Sequence, residues 1–169
     1  MLDWSIVFIG IFGIIGAAGA TLFSWLGGKF DSSYGPMPVI KTCVIALILV
    51  CVTIVFMSRE SIYGIPLPEG SIIPDATFFI CGVLIGGFGG ALQGASRNLM
   101  SRHADPNVPT EYFGLYGLSG RATAFLAPTL IGTVTFVTES PRLGVSPLVL
   151  LFIIGFVLLR WVDPNGRRI

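Results

Sequence analysis

A chain of 169 residues that is 53% hydrophobic and only 11% charged, with a mean hydropathy of +0.85, cannot clothe a water-soluble domain, whose charged fraction is about 25%. A net charge of +1 offers no basic surface for nucleic acid. No GxxxxGK[ST] phosphate loop, nucleophile–base pair or metal-ligand spacing occurs, which argues against an ATP-driven machine or an enzyme and gives no reason to expect a cofactor or a metal.

The apolar blocks predict an all-α membrane protein, a single transmembrane domain over residues 1–169 with five spans. The first lies at about 4–28, between Asp3 and Lys29, a stretch of roughly 25 residues without a charge, enough for a hydrocarbon core of about 30 Å. It has no basic leader and is too long for a cleaved signal, so it reads as an anchor. The others lie at about 38–57, 76–96, 111–137 and 145–161. Turn-formers separate them: Asp31 to Pro36, Pro66 to Pro74, Asp105-Pro106-Asn107 with Pro109, and Ser140-Pro141. Backbone amides meet no water in lipid, so the spans are expected to be helices, and runs this long exclude a β-barrel.

Lys29, Lys41, Arg97, Arg102, Arg160, Arg167 and Arg168 fall on one side of this arrangement, Arg59 and Arg142 on the other. The positive-inside rule then predicts an outer N-terminus and a cytoplasmic C-terminus. Cys43, Cys51 and Cys81 all fall inside spans, an odd number at lipid depth that argues against a disulfide framework. His103, alone in a loop, suggests no site.

Glycine placement is the strongest packing signal. Gly82, Gly86, Gly90 and Gly94 repeat at four-residue spacing in the third span, with Gly87 and Gly89 beside them. Such a face admits a neighbouring backbone. The first span has a similar face at Gly13, Ala17 and Ala20, with Gly16 and Gly19 beside it. Two readings stay open: static packing, or helices that slide against each other during alternating access.

The fourth span carries the polar chemistry. Arg121 stands ten residues past Glu111, about 15 Å along the helix. A charge near the bilayer centre costs about 2.5–3.5 kcal/mol on insertion scales, so it is expected to face protein or a watery cavity. Arg121, with Gln93 and Ser119, is the candidate substrate-binding set, and Arg121 is expected to turn towards Gln93. A structural ion pair or a snorkelled arginine is the alternative. Arg97 suits a rim anchor at the end of its helix. Pro128 is expected to kink the span.

Gln93-x-x-Ser96-Arg97, Glu111-Tyr-Phe-Gly-Leu-Tyr116 with Gly120-Arg121, Pro128 and Arg142-Leu-Gly144 resemble the last part of a major facilitator superfamily transporter. The nearest branch holds the vacuolar amino-acid effluxers and their bacterial relatives. There a lysine is common where Arg121 stands. Gly27-x-x-x-Asp31 followed by Gly35 is similar to the superfamily's cytoplasmic gating motif, although one extra residue precedes the glycine and Ser32 replaces the first basic residue. The resemblance implies that the spans correspond to helices eight to twelve of twelve, a partial half-bundle in a bacterial inner membrane. It also implies a substrate site between two six-helix halves, so the chain is expected to be a fragment, one piece of a split transporter or an adopted copy. Two functions follow: a component of a gradient-driven transporter for a small organic solute, amino acids among them, or a non-transporting accessory subunit packed against a larger membrane complex. Both imply another membrane chain or further helices as partner.

Overall fold

The computed structural model describes residues 6–58, 60–68 and 71–165; of Phe8 only the backbone is described. Asp3, Arg59, Arg167 and Arg168, used above for topology, lie outside the described residues. Among those described, five helices are long and apolar enough to cross a membrane. The first, α1, runs Ile6–Tyr34 and α2 runs Pro36–Val55. Helix α3 covers Ile73–His103. The fourth span is divided into α4, Pro109–Thr123, and α5, Leu126–Thr138. A 3-10 turn, Leu143–Val145, leads into α6, Ser146–Leu158.

The polar stretch after the first span is helix rather than loop. Asp31, Ser32 and Ser33 extend α1 to Tyr34, and the two serine hydroxyls return hydrogen bonds to the Lys29 carbonyl. The connection shrinks to Gly35, whose φ of 84° lies where residues with a Cβ are strained. Pro36 then opens α2 at a position that needs no amide hydrogen. At the other end of α2 the chain forms a small hairpin absent from the sequence expectation. Strand β1, Ser61–Ile62, pairs antiparallel with β2, Ile65–Pro66. Tyr63 and Gly64 both have positive φ, 52° and 80°, the backbone of a tight primed turn. The Tyr63 ring stacks on Phe56 and its hydroxyl pairs with that of Thr53 at 2.7 Å.

Helix α3 is the centre of the bundle. One side receives α1, the other α2, and α2 in turn carries α6. The α2–α3 core consists of Met37, Ile40, Cys43 and Val44 against Ala91, Ala95 and Leu99, with Phe152 and Phe156 of α6 behind it. The α1–α3 seam is built from small residues. A Cβ on Gly86 would stand 2.7 Å from the Gly16 carbonyl oxygen, and one on Gly90 would meet Ser24 Oγ and stand 3.2 Å from the Ala20 oxygen. Gly82 lies under the Phe12 ring and Gly87 under Phe23. Gly94, expected on the same face, has nothing of the chain within 4 Å of where its Cβ would be. On α1 the facing residues are Gly16, Gly19 and Ala20; Gly13 meets nothing and Ala17 is exposed. A step of four residues advances 400°, so the stripe drifts by about 40° each time and leaves the contact at its fourth member.

The fourth span breaks at Ala124–Phe125, four residues before Pro128, whose ring would strike the Ala124 carbonyl in a continuous helix. Beyond the break α5 is fixed to the following turn: Gly144 is buried against Thr135, and a Cβ there would also stand 3.2 Å from the Ile131 oxygen.

Leucine at Gly86 drives a side chain into backbone that has no rotamer with which to yield. Gly86→Leu is expected to lower the unfolding midpoint in detergent, at a cost above the usual 1–3 kcal/mol of overpacking, while Gly94→Leu leaves it unchanged. Thermal unfolding of the two purified variants measures this, and equal midpoints would disprove the seam.

Candidate functional site

Two polar regions stand out, and the chain treats them differently. The first joins α1 to α3. Gly27, Asp31 and Gly35 follow one another at intervals of four, one helical turn each. Gly27 lets Ala91 of α3 come close, 2.7 Å from where its own Cβ would be. One turn on, Asp31 is only 6% exposed. Its Oδ2 accepts a hydrogen bond of 2.8 Å from Asn98 Nδ2, and its Oδ1 is buried without a hydrogen-bond partner. At the next turn Gly35 bends the chain with the Arg102 guanidinium beside it, 3.6 Å from the Cβ position. A buried carboxylate is costly unless hydrogen-bonded, so the Asn98 amide is the group that makes Asp31 tolerable here.

Asn98 and Arg102 were not among the sequence candidates. They are four residues apart and share a face. That signal was available only if α3 continued past Ser96, which it does, to His103.

The second region is α4. Its hydropathy is the lowest of the spans, and none of its residues is buried by the chain. It meets α3 through Ser96 Oγ and the Tyr116 hydroxyl, 3.0 Å apart; Ser96 also donates to the Gln93 carbonyl. The Ser119 hydroxyl turns back to the Tyr116 carbonyl at 2.9 Å. Arg121 follows Tyr116 by five positions, so it points about 140° away from the side that meets α3. The expected approach of Arg121 to Gln93 therefore does not occur. Arg121, Gln93, Arg97 and Glu111 are all exposed, and among the described residues their side chains make no hydrogen bond or ion pair. Gly114, Gly117, Leu118 and Arg121 share the outward face, and both glycines have open space where a Cβ would be. Arg121 lies twelve residues past Pro109 in the 30-residue span, so about 18 Å along it.

The family model for vacuole effluxer Atg22-like proteins matches residues 3–168. The chain belongs to that family. It is 24% identical over 146 residues to the uncharacterized MFS-type transporter YxiO of Bacillus subtilis, covering 86% of this chain and 31% of that protein. It is also 24% identical over 106 residues to autophagy-related protein 22 of Cryptococcus neoformans, 62% of this chain and 19% of that one. The chain thus spans about a third of the first relative and a fifth of the second. No solved structure matches. Membership gives the helices their setting: this is an integral membrane protein of a transporter family, and the partial half-bundle fits it.

Removing the Asn98 amide would leave Asp31 buried with neither oxygen bonded. Asn98→Ala is expected to destabilise the protein by about 2–4 kcal/mol, and Asp31→Asn in the same chain to recover part of that loss. A double-mutant cycle of unfolding free energies tests the pair; simple additivity would dissociate the two residues.

Proposed function

We propose that the chain is a component of a secondary transporter for a small organic solute, and that it works with further transmembrane helices laid along the outward face of α4. The observation that carries this reading is Arg121. A permanent charge about 18 Å into a span, flanked by Gly114 and Gly117, is unsuited to lipid. Glycines on a transmembrane face are the usual mark of a close helix neighbour. This chain supplies no such neighbour among its described residues, so a second protein surface, with a watery cavity between, is the environment that suits both residue types. In that cavity the guanidinium would hold an anionic group of the solute, and a carboxylate matches its planar fork. The relatives' names, an effluxer and an MFS-type transporter, support solute movement; amino acids are the solute class the sequence resemblance suggests.

The same uncovered face would serve a non-transporting subunit of a larger complex, and one pair of variants separates the two readings. Expressed in its native membrane, Arg121→Leu is expected to abolish chain-dependent flux of labelled amino acids while the complex still co-purifies, and Arg121→Lys to retain part of the flux because it keeps the charge but not the fork. Loss of the complex with no chain-dependent flux in the parent protein would establish the accessory role. Wild-type flux in Arg121→Leu would sink the cavity assignment.

We further propose that the N-terminus is outside and the C-terminus cytoplasmic in a bacterial inner membrane, supported by the bias of Lys and Arg to one side. A cysteine tag at the C-terminus is expected to resist membrane-impermeant maleimide in intact cells, and one at the N-terminus to react. The opposite pattern inverts the topology.

A further inference from the structure

Where α1 and α2 meet at Gly35 they do not close on each other. Between them runs an apolar groove of about 340 Å³, floored by Phe88 of α3 and walled by Leu26 and Phe30 on one side and Pro38 and Thr42 on the other. Tyr34, stacked on Phe30, stands at its turn end. Each wall carries one lysine. Lys29 follows Leu26 by three positions and Lys41 follows Pro38 by three, which places each about 60° further round its helix, on the outer lip. Lys29 is six residues before Gly35 and Lys41 six after it, so both stand at the same depth, about 9 Å along their helices from the turn. Both are exposed, and among the described residues neither forms an ion pair. The Lys29 ammonium rests over the Trp25 ring, 4.2 Å from its centroid.

We propose that this groove binds one acyl chain of an anionic phospholipid, with the headgroup phosphate held between Lys29 and Lys41. The groove's lining is apolar and suits a hydrocarbon chain. The two unpaired cations at equal depth match one anion at its mouth. Tyr34, at the turn end, is a ring type that settles at the headgroup level. Neutral lipids would fill the groove with the same hydrocarbon but leave both lysines without a counter-charge. Each lysine is expected to favour the anionic lipid by about five-fold.

The test uses the full chain with Trp4→Phe and Trp161→Phe, so that Trp25 is the sole tryptophan. It is placed in phosphatidylcholine vesicles containing a small, equal fraction of chain-brominated phosphatidylglycerol or chain-brominated phosphatidylcholine, and quenching of Trp25 is read. Phosphatidylglycerol is expected to quench at a fraction about 25-fold lower, the product of the two lysines' effects. Lys41→Gln, which leaves Trp25 and Lys29 in place, is expected to reduce that preference about five-fold. Thr42→Phe, which fills the groove at unchanged charge, is expected to remove it. Excess glycerol phosphate in solution is expected to have no effect. Equal quenching by the two lipids, an unreduced preference in Lys41→Gln, or a preference that survives Thr42→Phe, overturns the proposal. Displacement by glycerol phosphate overturns the acyl chain's part in it. No quenching by either lipid means that a protein segment covers the groove, and overturns it as well.

Discussion

The bundle depends on one contact, the approach of the α1 backbone to the α3 backbone at Gly16 and Gly86. In lipid, two apolar helices gain nothing from mere burial, because the tails they leave are as apolar as each other's side chains. Association comes from close packing and polar contacts, and both need the backbones near. The absence of a Cβ at Gly86, Gly90 and Gly27 provides that nearness over three turns. Phenylalanines add to the seam: Phe12 against Phe78 and Phe79, and Phe23 against Phe88. At the end of the same seam Asp31 comes within hydrogen-bonding distance of Asn98. With bulkier residues at the glycines the carboxylate would lose the one amide that bonds it.

Two charges within the helices are handled in opposite ways. Asp31 is enclosed by the chain and bonded by it. Arg121 is exposed, on a helix none of whose residues is buried. A charge satisfied within the chain fits a role in holding helices together, whereas a charge left uncovered at mid-span fits a role that needs something from outside, whether solute or partner.

Five spans were legible in the sequence because a chain that folds in water rarely carries charge-free runs of bilayer length, and the resemblance placed them in the right superfamily. The helix ends were not legible. Reading a span from gaps between charges stops it at its first polar cluster, yet Asp31-Ser32-Ser33 and Arg97 to His103 continue as helix once their backbone bonds are made within it. Stopping α3 at Ser96 hid Asn98 and Arg102, which lie in its added turns. The glycine period revealed that α3 has a smooth face but not where it ends, since a four-residue repeat drifts off the contact by Gly94. On α1 the period alone did not separate Gly16, Gly19 and Ala20 from Gly13 and Ala17; only the crossing of the two helices does. Arg121 was expected on the side facing Gln93 and stands on the other, because the seam with α3 is set by Tyr116 and Ser96, whose pairing no local pattern announces.

The division of the fourth span follows from this same difference in anchorage. Its second half, α5, is fixed by close contact with the turn at Gly144, where a side chain has no room. Its first half, α4, reaches the bundle through the Ser96–Tyr116 hydroxyl pair and little else. A straight 30-residue helix would force both halves to share one axis, set by whichever contact is tighter. Pro128 removes that constraint by stopping the Ala124 carbonyl from continuing the ladder, and the break at Ala124–Phe125 falls only three residues past Arg121. The arginine therefore sits in the last turn of α4, immediately before the break. Its position relative to the rest of the molecule is set by the Ser96–Tyr116 hydroxyl pair and by the short connection from α4 to α5.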